Sequence, residues 1–210
     1  VANFGVKLLS IGFFTKPDQA VIWRGPMAAK ALNQMIFDAA WGELDFLLID
    51  LPPGTGDIHL SIMQSLPITG AVVVSTPQAV ALSDAKKGVA MFQQENIQVP
   101  VLGVIENMAY FTPEELPNNK YYIFGKAGAR YLATDLDVPF LGEVPLVQSI
   151  REAGDIGRPA AMQESTTVAD ALTKVTREVV QQVVKRNEHL PPTEAIKITT
   201  MAGCAAVTKN

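Results

Sequence analysis

Short apolar runs alternate with segments of helical period along most of this chain, and that alternation restricts the fold more than any single residue does. Residues 6–14 (VKLLSIGFF), 44–51 (LDFLLIDL), 70–76 (GAVVVST), 100–107 (PVLGVIEN) and 139–145 (PFLGEVP) read as strands. The run at 44–51 is continuous rather than alternating, so it is expected to be buried on both faces. Between the runs lie helical patterns. Residues 25–42 place Met27, Ala31, Leu32, Met35, Ile36 and Ala39 on one face, with Pro26 suited to a first turn. A short helix is expected over 58–64, and another over 83–96 with Ser83 as its cap. Residues 125–136 and 166–187 complete the set, the last with Val168, Leu172, Val175, Val179 and Val183 on one stripe. Strands separated by helices imply an α/β fold, a mostly parallel sheet with helices on both faces. Residues 1–187 are expected to form the main domain portion and 188–210 a tail, with 108–122 a polar, proline-containing excursion.

Composition removes several classes of function. The chain has 210 residues, 48% hydrophobic and 18% charged, enough for a sizeable core. Its net charge of −4 offers no electrostatic match to nucleic acid or to an anionic membrane surface, so neither partner is expected. No apolar run approaches the ~20 residues of a membrane span. The one cysteine, Cys204, excludes an internal disulfide. The first apolar run is short and lacks a cleavage site, so it reads as a strand and not a signal peptide. A cytoplasmic protein is the expectation. Val1 in place of Met leaves processing and fragmentation open.

Ligands in parallel α/β sheets bind at the carboxyl ends of the strands, and two runs here end in polar residues, Asp50 and Asn107. Asp50 closes FLLID and is followed by LPPGTGD. An acid at such a tip can hold Mg²⁺ through water. Gly54 and Gly56 permit close backbone approach, Pro52 and Pro53 stiffen the turn, and Asp57 lies near enough to help hold a water or metal. The plainer reading is that Asp is a good turn former and helix cap. Asn107 likewise either binds a ligand through its two-faced amide or caps a loop. His59 and His189 lack ligand spacing and are expected at the surface or in loops, and Lys86 and Lys87 on a solvated helix face.

Taken together, LLIDLPPGTGD, WRGPM, STPQAVALSDAKKG, GVIENM, YYIFGKAGA and REAGDIGRP resemble, in order, the Mrp/ApbC branch of the MinD-like P-loop ATPases. The resemblance implies an ATP-hydrolysing carrier of iron–sulfur clusters, working as a homodimer with cluster-assembly and recipient proteins. It makes Asp50 the Mg²⁺-side acid, acting through water, and puts Gly54 and Asp57 in the loop that senses the γ-phosphate. It makes Asn107 the adenine-recognising residue and Pro145 the start of a loop that walls the base pocket. Trp23 and Arg24 become either a subunit face or a loop arginine beside a core tryptophan.

Two departures bear on function. No G-x-x-x-x-G-K-[ST] occurs. GKAGA at 125–129 has the Gly-Lys pair but no Ser or Thr after Lys126. The chain is thus expected to be the carboxyl-terminal portion of a longer ATPase, inactive without its phosphate-binding loop. The family's C-x-x-C is also missing. Residues 108–122 offer Glu114, Glu115, Asn118 and Asn119 instead, which are poor ligands for a cluster. Cys204 provides one thiol per chain. A positioning ATPase of the ParA/MinD type and a non-enzymatic interaction module on the same scaffold are the alternatives.

Overall fold

The computed structural model describes residues 1–16, 25–113, 115–116 and 118–196. Trp23, Arg24, Glu114 and Cys204 lie outside the described residues. Two compact units are present, one of residues 1–67 with 195–196, the other of residues 68–194.

The first unit opens with a two-residue hairpin, β1 (Ala2–Asn3) antiparallel to β2 (Val6–Lys7). A 3-10 turn over Ile11–Phe14 follows. The long strand expected at 6–14 therefore does not form. Gly12 interrupts the run, and Ser10 accepts a hydrogen bond from the Gly12 N–H at 3.2 Å, which favours a turn over an extended chain. Helix α1 (Gly25–Phe37) appears where its period predicts, and it packs on α2 (Asp57–Ser65). Trp41 beyond α1 donates from Nε1 to the Ile36 carbonyl at 3.0 Å.

The strand expected at 44–51 is also absent. Phe46 and Leu48 are 57% and 87% exposed, so the segment is not buried on either face. A strand needs a neighbour for its N–H and C=O groups. Among the described residues of this unit, the β1–β2 hairpin is the one pairing, and residues 44–51 take no part in it.

The second unit holds a parallel sheet in the order β3 (Ala71–Ser75), β4 (Val101–Phe111), β5 (Phe140–Leu146). The connections run through α3 (Ala79–Phe92) and α4 (Gly128–Asp135). Both crossovers proceed in the same direction across the sheet. Right-handed connection puts both helices on one face. Val104 is fully buried there, against Ala129 and Ala133 of α4, Leu82 of α3, and Val73 and Phe140 of the flanking strands. The other face is covered by α6 (Thr167–His189). Adjacent residues of β5 show the two sides: Glu143 reaches Arg130 of α4, while a side chain at Gly142 would meet Val175 of α6. Thr166 caps α6 by accepting from the Ala169 N–H at 3.1 Å, and Val168 and Val175 of the expected stripe are buried.

Helix α3 begins four residues before the expected cap. Gln78 is the last extended residue, and Ala79-Val80-Ala81-Leu82 already propagate the helix. Ser83 is thus interior. Residues 148–155, read as loop, form helix α5 (Gln148–Asp155). Lys86 and Lys87 are exposed as expected, Lys87 paired with Asp84 at 3.0 Å. Among the described residues no helix is long and apolar enough to cross a membrane.

Candidate functional site

The residues singled out by sequence divide between the units. Asp50, Gly54 and Asp57 belong to the first, Asn107 and Pro145 to the second.

In the first unit Asp50 is exposed within an irregular segment that continues to the start of α2. Gly54 has φ +96°, which a side chain would strain, while open space surrounds it. The demand for glycine there is conformational, not steric. Asp57 is the first residue of α2, directly after the Gly56 cap position, where no side chain caps the helix. Its charge complements the helix N-terminus, so its plainer role as a helix-start acid is realised in this structure. His59 departs from expectation. It is 4% exposed, and Nδ1 has no hydrogen-bond partner among the described residues. It shares the inward face of α2 with Ile62 and Met63 at helical spacing. His189 is exposed at the end of α6, with Nδ1 2.7 Å from the Lys185 carbonyl.

Among the described residues no three His, Cys, Asp or Glu side chains gather into a metal cage. Mg²⁺ does not need one, since it keeps several waters and commonly binds through one or two carboxylates plus phosphate oxygens. An exposed Asp50 beside a glycine-bearing turn fits that donor set.

In the second unit the three strands do not end together: β3 ends at Ser75, opposite Glu106, while β4 runs on to Phe111, opposite Leu146. Asn107 is opposite Val144 and so beside Pro145 of the neighbouring strand, but it lies inside β4 and not at the strand end expected from the sequence. Asn107 is half-buried and Pro145 buried. The Asn107 Oδ1 accepts the N–H of Met108 at 2.9 Å, and Met108 has a left-handed φ of +54°. This is the loop-capping role, and it leaves Nδ2 without a partner among the described residues. Helix α5 follows β5 immediately, which stations the residues after Pro145 close to the strand end.

The excursion at 108–122 starts as part of β4. Phe111 pairs with Tyr121, and the Lys120 ammonium sits 3.8 Å from the Tyr110 ring centroid.

Sequence reasoning passed over Glu106. It is 1% exposed, and its Oε2 accepts the Ala129 N–H at 2.7 Å, in the first turn of α4. Burial pushes its carboxyl above the ordinary value. The Ala129 N–H opposes this, nearby Glu143 adds to it, and the Ala127 N–H and Arg130 oppose it. Glu106 also explains why GKAGA is not a phosphate loop. An internal carboxylate already occupies the helix N-terminus that a phosphate would need. Lys126 faces elsewhere, 5.0 Å from the Tyr122 ring centroid. The loop before α4 is held tightly at its other side: a Cβ on Gly128 would lie 2.6 Å from the Pro77 carbonyl oxygen.

The family model of the NUBPL iron-transfer P-loop NTPases, a ParA-type group, matches residues 1–184. An iron-sulfur cluster carrier protein of Synechocystis is 46% identical over 184 residues, covering 87% of this chain and 52% of that protein. A nucleotide-binding protein of Archaeoglobus fulgidus, solved in complex with ADP, superposes with a TM-score of 0.55 at 41% identity, covering 62% of this chain and 52% of the other. The septum site-determining protein MinD of Pyrococcus horikoshii, solved with Mg-ADP, gives 0.53 at 26% identity, covering 75% and 59%. The chain spans about half the length of the curated relatives it matches. The parallel sheet and its helices are those of a MinD-like P-loop NTPase.

Proposed function

Because this chain belongs to the NUBPL iron-transfer family of P-loop NTPases, we propose that it supplies the acid, the switch turn and the base-side wall of an ATPase that delivers iron–sulfur clusters. The observation that carries the reading is the register of the second unit, which sets Asn107 opposite Val144 and beside Pro145, just past the level at which β3 ends, toward the side of the sheet where α/β folds bind ligands. The ADP complex of the Archaeoglobus relative and the Mg-ADP complex of MinD support an adenine nucleotide with Mg²⁺. Asn107 presents the free donors of Nδ2 to ring nitrogens of the base, and Pro145 limits the space beside it. Asp50 accepts hydrogen bonds from the water shell of the cation. The Gly54–Asp57 turn offers backbone N–H groups to the γ-phosphate and relaxes when that group leaves. Bound Mg²⁺ would neutralise charge on the phosphate oxygens during transfer to water. A homodimer in the cytoplasm, meeting cluster-assembly and recipient proteins, completes the proposal. The positioning-ATPase reading has less support, since identity to MinD is 26% against 46% to the cluster carrier.

The chain by itself, lacking a lysine-rich phosphate loop, is expected to bind Mg-ATP weakly and to hydrolyse it at background rate. Calorimetry and phosphate release measure both. In a longer protein that carries such a loop, Asn107→Ala should weaken ATP binding by about 1–3 kcal/mol, because polar atoms of the base lose their partner. Micromolar affinity and turnover in the 210-residue chain would overturn this division of labour.

The cluster itself is cargo, and residues 108–122 do not suit it. They offer carboxyl, amide, phenol and backbone groups, and no thiol. Anaerobic reconstitution with iron and sulfide should leave no stable cluster on this segment, with any weak loading abolished by Cys204→Ser. Iron and acid-labile sulfide per chain, with visible absorption, give the answer. Full loading that survives Cys204→Ser would show that the polar segment holds clusters after all.

A further inference from the structure

We propose that Glu106 is the positioning residue of the base-side pocket, tying helix α4 and the loop before it to the part of β4 that carries Asn107. The nucleotide part of this inference rests on the function proposed above; the coupling part rests on geometry alone.

A carboxylate buried in the middle strand of a sheet is costly, several kcal/mol unless it is hydrogen-bonded. Helices are commonly capped at little cost by a Ser, Thr, Asp or Asn at the residue before them, in an extended conformation. The chain has Ala127 there instead, in the left-handed region with φ +57° and no side-chain cap. The cap comes from Glu106, 23 residues earlier in sequence, on β4. A local cap would secure the helix alone. This one secures the helix to the strand, one residue before Asn107.

The surroundings leave the loop little freedom once that bond is made. Gly125 and Gly128 both approach the Pro77 carbonyl just beyond the end of β3, so the loop is held between that segment and Glu106 of β4. Two charged groups face Glu106 from the elements around it. Glu143 is on β5 and Arg130 on α4, bonded to each other at 3.0 Å. The Arg130 guanidinium lies 4.1 Å from the Phe140 ring centroid. β3 presents Ser75 at the partner position, its hydroxyl turned to the Thr76 carbonyl. The Glu106 carboxyl thus has one strong partner, the helix N-terminus, and that bond determines where the loop sits beside Asn107.

The test compares the intact chain with Glu106→Gln and Glu106→Ala by NMR. Amide exchange is read at residues 127–131 and at core positions such as Val104 and Leu141, and the Asn107 side-chain amide signals are followed in parallel. In Glu106→Ala, protection at Ala129 should fall about tenfold or more beyond any change at the core positions, and the Asn107 signals should move. Glu106→Gln retains an acceptor oxygen and should restore most of both. A pH series reads the ionisation of the buried carboxyl itself. The native carboxyl holds its proton to higher pH than the unfolded one. Relative to Glu106→Gln, the unmodified chain should therefore be most stable below the ordinary carboxylate value and lose that margin as pH rises through the raised value. Uniform loss of protection across the sheet, or unmoved Asn107 signals in Glu106→Ala, would overturn the proposal. A final ATP titration separates the two readings. Coupling between Glu106 and Asn107 with no ATP-induced shift in any variant supports positioning and counts against the nucleotide.

Discussion

Asp50→Asn, made in a protein that joins this chain to a phosphate-binding loop, is expected to lower ATP turnover by about a hundredfold or more, the scale of losing one preorganised electrostatic partner of the transition state. Folding should be nearly untouched, within about 0.5 kcal/mol, because Asp50 is exposed and its removal opens no cavity. The split between the two measurements is the content of the prediction. A carboxylate that merely forms a turn would show comparable, modest losses in both. Asp57 provides the contrast. As the first residue of α2 it has a structural role as well, so Asp57→Asn should cost about 0.3–1 kcal/mol of stability in addition to any effect on turnover. Phosphate release and thermal unfolding, run on the same preparations, decide the matter. Turnover of Asp50→Asn within a few-fold of the unmodified protein would remove Asp50 from the mechanism.

The second unit was legible in the sequence because its strands carry their own evidence. AVVVS, VLGVIEN and FLGEVP are β-branched or continuously apolar, and each pairs with the next along the chain. The run at 44–51 carries the same kind of evidence and forms no strand. Hydrophobicity marks a segment as able to pair, while pairing itself depends on a neighbour that the segment's own residues do not encode. Asn107 and Pro145 were expected at strand ends; the register does bring them side by side, although β4 runs on to Phe111. Glu106, which escaped notice, and His59, which was expected at the surface or in a loop, were both open to periodicity. Leu102, Val104 and Glu106 share one face of β4, and the first two are plainly core, so an inward acid was implied at 106. His59, Ile62 and Met63 share one face of α2 in the same way. Treating Glu106 only as a letter of the ENM motif, and placing His59 at the surface or in a loop, concealed the fact that each is a buried polar group.

The geometry of β4 also predicts the largest loss of stability. Gly103 is buried in that strand with φ +149°, and an added Cβ would lie 2.5 Å from the Pro139 carbonyl oxygen and 2.7 Å from Leu141 Cγ. Neither neighbour can yield easily. The Pro139 carbonyl accepts the Val104 N–H at 2.8 Å, and Leu141 is 1% exposed. Gly103→Ala therefore combines backbone strain and overpacking, each about 1–3 kcal/mol, against a total stability of about 5–15 kcal/mol for a typical domain. Gly88 in α3 is the matched control. Nothing lies within 4 Å of its Cβ position, and alanine there should stabilise the helix by about 0.5–1 kcal/mol. Urea unfolding of the two variants should thus move the midpoint in opposite directions. The consequence of Gly103→Ala reaches the candidate site, because relief of the clash must shift β4 against β5, and the same pairing sets Asn107 opposite Val144. Asn107 side-chain signals should be displaced in Gly103→Ala and unchanged in Gly88→Ala. A Gly103→Ala protein as stable as the unmodified chain would mean that β4 and β5 do not approach as closely as this register requires.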